Sequence, residues 1–150
     1  MNLEKILNKN VIDLNMKAKS KDEAIRHLSE LLLKENYIED IETFVDDIYL
    51  REEEGITGIG NFIAIPHGKS DSVKQIGIAI GRLDDEIEWE TIDEQGVKLI
   101  FLFAVSNDTE YATNHMKLLS EIARKLGNDE AVAQLLESRT YEQLSRVFVQ

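Results

Sequence analysis

Apolar positions recur along this chain with two periods, and the change from one to the other lays out the elements. Val11-Ile12-Asp13-Leu14 reads as a short first strand. Ser20-Lys21-Asp22-Glu23 has the form of a capping box, with serine at the cap and glutamate three residues on. It opens a helix to about Lys34 whose apolar stripe is Ala24, Ile25, Leu28, Leu31 and Leu32. A second helix, about 41–51, presents Phe44, Val45 and Ile48, with Leu50 as a further candidate. Glycines 55, 58 and 60 then make an irregular approach to a strand, Phe62-Ile63-Ala64-Ile65. Ile76-Gly77-Ile78-Ala79-Ile80 follows, with a short piece around Ile87-Glu88-Trp89. The run Val97 to Val105 is interrupted only by Lys98, as expected of a central strand covered on both faces. Helices come next at about 114–126, 130–137 and 141–148, the last with Thr140 and Gln143 at capping-box spacing. Helices at both ends of a run of strands predict the α/β class, a three-layer α/β/α sandwich with a mixed β-sheet.

Composition narrows the functions that such a fold could serve. The 150 residues carry no linker, repeat or low-complexity tract, so a single domain over residues 1–150 is expected. Acidic residues number 29 against 17 basic, a net charge of −12, with no Lys/Arg stripe to offset it. Nucleic acid and anionic membrane surfaces are therefore disfavoured as partners. The absence of cysteine excludes disulfides, thiolate catalysis and Cys-based zinc sites. The start, Met1-Asn2-Leu3-Glu4-Lys5, lacks the apolar core of a signal peptide, and no apolar run approaches the roughly 18 residues of a membrane span. A cytoplasmic location without direct membrane insertion is expected.

The candidate chemistry lies in three histidines. Pro66, the one proline, stands directly before His67. Proline has no N–H for a ladder and fixes φ, so it is expected to stop the preceding strand, while Gly68 lets the chain turn away without crowding the ring. That sets an imidazole on a stiff segment with one nitrogen open to approach. The alternative is a histidine that only caps a strand end through a backbone hydrogen bond. His27 sits about 110° from the centre of its helix's apolar face and is set aside as a solvated flank residue. His115 shares the apolar stripe of Leu119, Ile122 and Leu126, which suits a core histidine. It also falls in the first turn of the expected helix, where partial positive charge favours an anion and lowers a histidine's pKa. Two imidazoles at strand ends could then converge on one phosphate-sized ligand. Arg51 either complements its helix's macrodipole or turns a guanidinium toward phosphoryl oxygens. Lys69 adds local positive charge. Gly55-Ile56-Thr57-Gly58-Ile59-Gly60 is no Walker loop, since no Gly-Lys-Ser/Thr closes it.

Several of these segments recur together elsewhere. Arg51-Glu52, Thr57-Gly58-Ile59-Gly60, Ile63-Ala64-Ile65-Pro66-His67-Gly68, Ile87-Glu88-Trp89, the 97–105 strand and His115-Met116-Lys117-Leu118-Leu119 resemble the enzyme IIA component of the phosphoenolpyruvate-dependent sugar phosphotransferase system. The resemblance is to the fructose/mannitol type, a type-2 domain, and covers nearly the whole chain. It implies that His67 takes a phosphoryl group on Nε2 from the histidine-containing phosphocarrier protein and passes it to a IIB domain. A membrane IIC component would be served indirectly. It also implies that His115 lies beside the acceptor and that Arg51 assists. Donors to the phosphoryl oxygens would be His115, Arg51, the Thr57 hydroxyl and backbone N–H groups near His67 such as that of Gly68. Exchange of one P–N bond for another calls for no metal and no cofactor. Phe62 stands where many relatives have glycine, and Met116 replaces a usual leucine. An apolar rim including Phe62 or Ile59 is expected to dock partners. Two other readings stay open: a nitrogen-type regulatory protein whose phosphorylation state controls other proteins, and a metal or ligand module built on His67 and His115. The sugar is not legible, because a IIA domain does not contact it.

Overall fold

The apolar run became the spine of the sheet. In chain order the strands are β1 (Ile12–Asp13), β2 (Gly58–Gly60), β3 (Ile63–Ala64), β4 (His67–Lys69), β5 (Gly77–Ile87) and β6 (Val97–Val105). The helices are α1 (Lys21–Lys34), α2 (Ile41–Glu54), α3 (Thr109–Leu126), α4 (Asp129–Glu137) and α5 (Tyr141–Val149). The computed structural model describes residues 6–107 and 109–149, with side chains described outside 109–114. Strand order is β1-β5-β6-β3-β2, and β4 lies along β6 beyond β3. β5 is antiparallel to β6, whereas β3 and β4 run parallel to it, so the sheet is mixed.

Alternation along β6 builds two cores. Leu99, Phe101 and Phe103 face Leu118, Ile122, Leu135 and Leu144 from α3, α4 and α5. Ile100, Leu102 and Ala104 face Ile25, Leu28, Phe44 and Ile48 from α1 and α2. The result is the expected α/β/α sandwich, each large buried side chain contributing about 1.5–3 kcal/mol through burial. Both caps formed, with the Glu23 and Gln143 side chains reaching back to the N–H of Lys19 and Arg139, one residue before the cap. Ser20 Oγ accepts the Glu23 N–H at 3.1 Å, and Thr140 Oγ1 accepts that of Gln143 at 3.2 Å. Asp40 and Asn128 cap α2 and α4 in the same way. Arg82 is buried as a whole residue and donates to the Leu136 and Leu14 carbonyls and to Asp84.

Several boundaries differ from the sequence reading. α2 continues to Glu54, β5 takes in the expected piece at Ile87, and Leu50 is exposed. α3 begins at Thr109, so His115 lies in the second turn and not the first. Phe62 is not in a strand. With Asn61 at φ 55° and Phe62 at φ 67°, this pair forms the turn between β2 and β3. A side chain in that left-handed region costs about 1–2 kcal/mol. Here the Phe62 carbonyl accepts both Lys98 N–H at 2.8 Å and Leu99 N–H at 2.9 Å, which offsets it.

β3 ends before Pro66, as expected, but pairing with β6 resumes directly after it. Ile63 faces Leu99, Ala64 faces Ile100, and His67 faces Phe103 at the same offset. The break at Ile65 and Pro66 does not shift the register, and the Pro66 carbonyl still accepts Phe103 N–H at 3.0 Å. Nor does the chain turn at Gly68, which lies within β4. Its missing Cβ makes room for the fully buried Phe44 ring, which a Cβ there would overlap.

Candidate functional site

His67 opens β4, and its imidazole is anchored by the backbone two residues earlier. Nδ1 lies 2.7 Å from the Ile65 carbonyl oxygen. A carbonyl only accepts, so the proton is on Nδ1 and the lone pair is on Nε2. Nε2 makes no hydrogen bond among the described residues and is not one of their buried unpaired atoms. The local reading of a ring tied down by backbone and the functional reading of one nitrogen left open therefore describe the same geometry.

Strand register supplies the floor. Phe103 is the β6 partner of His67, so their rings lie side by side on one face of the sheet, stacked at 5.2 Å and 21°. His115 from α3 meets both edge-on, at 5.2 Å and 88° to His67 and 5.2 Å and 81° to Phe103. Its own Nδ1 is buried without a hydrogen bond among the described residues. Nδ1 therefore does not anchor the ring as Nδ1 of His67 does.

Burial is the main electrostatic fact at this site. It pushes the His67 imidazole down to about 4, with the neighbouring His115 and Arg51 adding to the effect. The Ile65 carbonyl pulls the other way and is outweighed, because desolvation of a cation costs more than one hydrogen bond returns. His115 is also held below its ordinary value, by burial first and then by Lys69. The helix N-terminus invoked for it from sequence is not the cause, since it lies a turn further away. His67 is therefore neutral throughout the neutral range. The unfolded chain holds that proton near 6.5, so it binds more protons than the folded one between about 6.5 and about 4. Stability present above 6.5 is lost as pH falls through that window. An NMR titration of the His67 ring should show the neutral pattern down to about pH 5; a midpoint near the ordinary value would show a hydrated ring.

The other candidates lie as follows. Arg51, in the last turn of α2, donates from Nη1 to the Gly55 carbonyl at 3.1 Å, closing the helix end, while its charge reaches His67. The Thr57 hydroxyl donates to Glu52 Oε2 at 2.7 Å, so its proton is committed away from the role of phosphoryl donor expected for it. Ladder alternation turns the Gly68 N–H toward β6, which takes it away from that role too. His27 is not free in solvent: its Nε2 pairs with Asp13 Oδ2 at 2.8 Å. Among the described residues no three His, Asp or Glu gather as they would to hold a metal ion. Sequence reasoning passed over Phe103, whose role depends on strand register, and gave Glu52 no role beyond its place in the motif.

Residues 5–150 match the family described as "Phosphoenolpyruvate-dependent sugar phosphotransferase system, EIIA 2". The mannitol-specific phosphotransferase enzyme IIA component of Geobacillus stearothermophilus is 34% identical over 142 residues, covering 93% of this chain and 92% of that protein. A PTS system 2-O-alpha-mannosyl-D-glycerate-specific EIIABC component of Escherichia coli (strain K12) is 33% identical over 145 residues, 96% of this chain but only 22% of that relative's length. The crystal structure of nitrogen regulatory protein IIA-Ntr from Neisseria meningitidis superposes with a TM-score of 0.87 at 27% identity, over 97% of this chain and 98% of that one. Because the family match takes in every element from β1 to α5, the chain belongs to the EIIA 2 family of the phosphoenolpyruvate-dependent sugar phosphotransferase system.

Proposed function

We propose that the chain accepts a phosphoryl group on His67 Nε2 from the histidine-containing phosphocarrier protein and passes it to a IIB domain. The observation that carries this reading is the tautomer: Nδ1–H is given to the Ile65 carbonyl, and the Nε2 lone pair is left over. In the transfer, that lone pair forms the new N–P bond as the donor's N–P bond breaks. The bonding electrons return to the departing imidazole nitrogen, and the His67 proton stays on Nδ1. Charge on the three phosphoryl oxygens is met by positioned cations and donors, for which Arg51 and His115 are the candidates. The exposed apolar residues Ile59 and Met116 belong to the rim that would seat partners, with Phe62 half-buried beside Lys98. A surface used so briefly is expected to be small. No helix among the described residues is long and apolar enough to cross a membrane, which suits a carrier working in the cytoplasm beside a membrane IIC component.

A second reading is favoured by the likeness to a nitrogen regulatory IIA-Ntr: the same phosphohistidine would serve as a signal, with no onward IIB acceptor. Both readings share the first step. Incubation with phosphoenolpyruvate, enzyme I and the phosphocarrier should add one acid-labile phosphoryl group to the intact chain by mass spectrometry. Addition of purified IIB domains should then remove it. A chain that never gains the group refutes both readings, and one that keeps it against every IIB domain offered favours regulation.

A further inference from the structure

Behind the His67 ring a line of hydrogen bonds runs back to a buried ion pair. Nδ1–H goes to the Ile65 carbonyl at 2.7 Å. The Ile65 N–H goes to the Thr57 carbonyl at 2.9 Å. The Thr57 hydroxyl donates to Glu52 Oε2 at 2.7 Å and accepts from the Trp89 indole N–H at 3.4 Å. The other carboxylate oxygen, Oε1, takes Lys21 Nζ at 2.7 Å. Lys21 is held in turn by Glu90 at 3.0 Å and lies 5.0 Å from the Trp89 ring centre. With both oxygens engaged, the Glu52 carboxylate has one orientation.

The placement of Glu52 is costly on three counts. Its side chain is 8% exposed, so a charge has been taken out of water. It lies in the last turn of α2, the helix end where the macrodipole disfavours an anion. The chain already carries a net charge of −12. An apolar residue would close the same helix end without these costs. What the carboxylate does that an apolar side chain cannot is hold the Lys21 ammonium with one oxygen and grip the Thr57 hydroxyl with the other.

We infer that Glu52 is a positioning residue for His67: by clamping Thr57 it fixes the Ile65 carbonyl, and that carbonyl keeps the proton on Nδ1 and the lone pair on Nε2. The consequence for phosphoryl transfer rests on the function proposed above. The tautomer itself belongs to the resting protein and is measured without any transfer.

The test uses the full chain labelled with ¹⁵N-histidine and long-range ¹H–¹⁵N correlation spectra. Wild type should show His67 with Nδ1 protonated and Nε2 bare. Thr57→Val keeps the volume of a buried side chain and removes only the hydroxyl. It should bring in a second ring population protonated on Nε2 and slow single-turnover phosphoryl acceptance about tenfold, the weight of one net hydrogen bond. Glu52→Leu should do the same, and Thr57→Ser, which restores the hydroxyl, should restore the wild-type tautomer. Fluorescence of Trp89, the chain's one tryptophan, reports that each variant is folded. Should Glu52→Leu fail to fold, Thr57→Val and Thr57→Ser decide the matter between them. An unchanged His67 tautomer in folded Thr57→Val overturns the inference. If transfer slows in that variant while the tautomer stays, the Thr57 hydroxyl acts on the phosphoryl group directly; Glu52 then has no positioning role, and the proposed function survives. If the tautomer shifts but the wild-type chain never takes a phosphoryl group, the clamp stands and the proposed function falls.

Discussion

His67→Ala should accept no phosphoryl group and should still fold. Phosphoryl acceptance vanishes because the substitution removes the imidazole whose Nε2 lone pair is left over for the phosphoryl group. His115 is not expected to take over, since its Nδ1 is buried without a partner and its ring is packed edge-on against Phe103. Folding survives because His67 is half-buried and contributes to neither core. What is lost is a ring stacked on Phe103 and one hydrogen bond to Ile65, the latter worth about 1 kcal/mol net. Part of that loss returns at acid pH, where a ring whose pKa is pushed down to about 4 opposes folding. Acid-labile label from radioactive phosphoenolpyruvate, read beside a circular dichroism melt, checks both halves. Label on the folded variant would place the acceptor elsewhere. An unfolded variant would mean that the ring is structural after all.

The second large effect is expected at Phe103. It is fully buried at the centre of the sheet, paired with Ile78 on β5 and with His67 on β4, and it carries both imidazoles at 5.2 Å. Phe103→Ala should cost about 3–5 kcal/mol through lost burial and the cavity left behind. Against a total of about 5–15 kcal/mol the protein stays folded at room temperature and melts roughly 10 °C or more lower. Transfer to His67 should fall with it, because the ring loses the surface that sets its plane. Phe103→Leu separates the two effects. Leucine refills most of the volume and recovers most of the stability, yet offers no flat face to stack against. Urea unfolding and single-turnover transfer, measured on both variants, distinguish them. Wild-type transfer in Phe103→Leu would mean that Phe103 only fills space, and a loss under about 1 kcal/mol in Phe103→Ala would contradict its burial.

Much of the site was legible at the level of single residues. Pro66 before His67 announced a stiff, oriented ring, and the position of His115 on the stripe of Leu119 and Ile122 announced that it would be packed. The misreadings arose where a contact or a boundary left no periodic or capping signal in the sequence. Gly68 looked like a turn because nothing nearby explains a glycine, whereas its reason is the Phe44 ring on α2. Thr57 looked like an available hydroxyl because Glu52 reaches it only once α2 has ended and the chain has folded back. His115 seemed to stand at a helix start because polar residues before it masked an earlier beginning at Thr109.

The order of the helices and longer strands, the two capped helices, the doubly covered strand and His67 as the candidate were legible in the sequence alone. Periodicity, capping and proline geometry act between residues a few places apart, so the order of amino acids is enough to read them. Only the tertiary structure decided that Phe103 lies under His67, that His115 closes on both, and that Glu52 stands behind Thr57. Those meetings depend on which strands become neighbours, and that is settled by burying both faces of β6 at once, a property of the whole chain and of no segment within it.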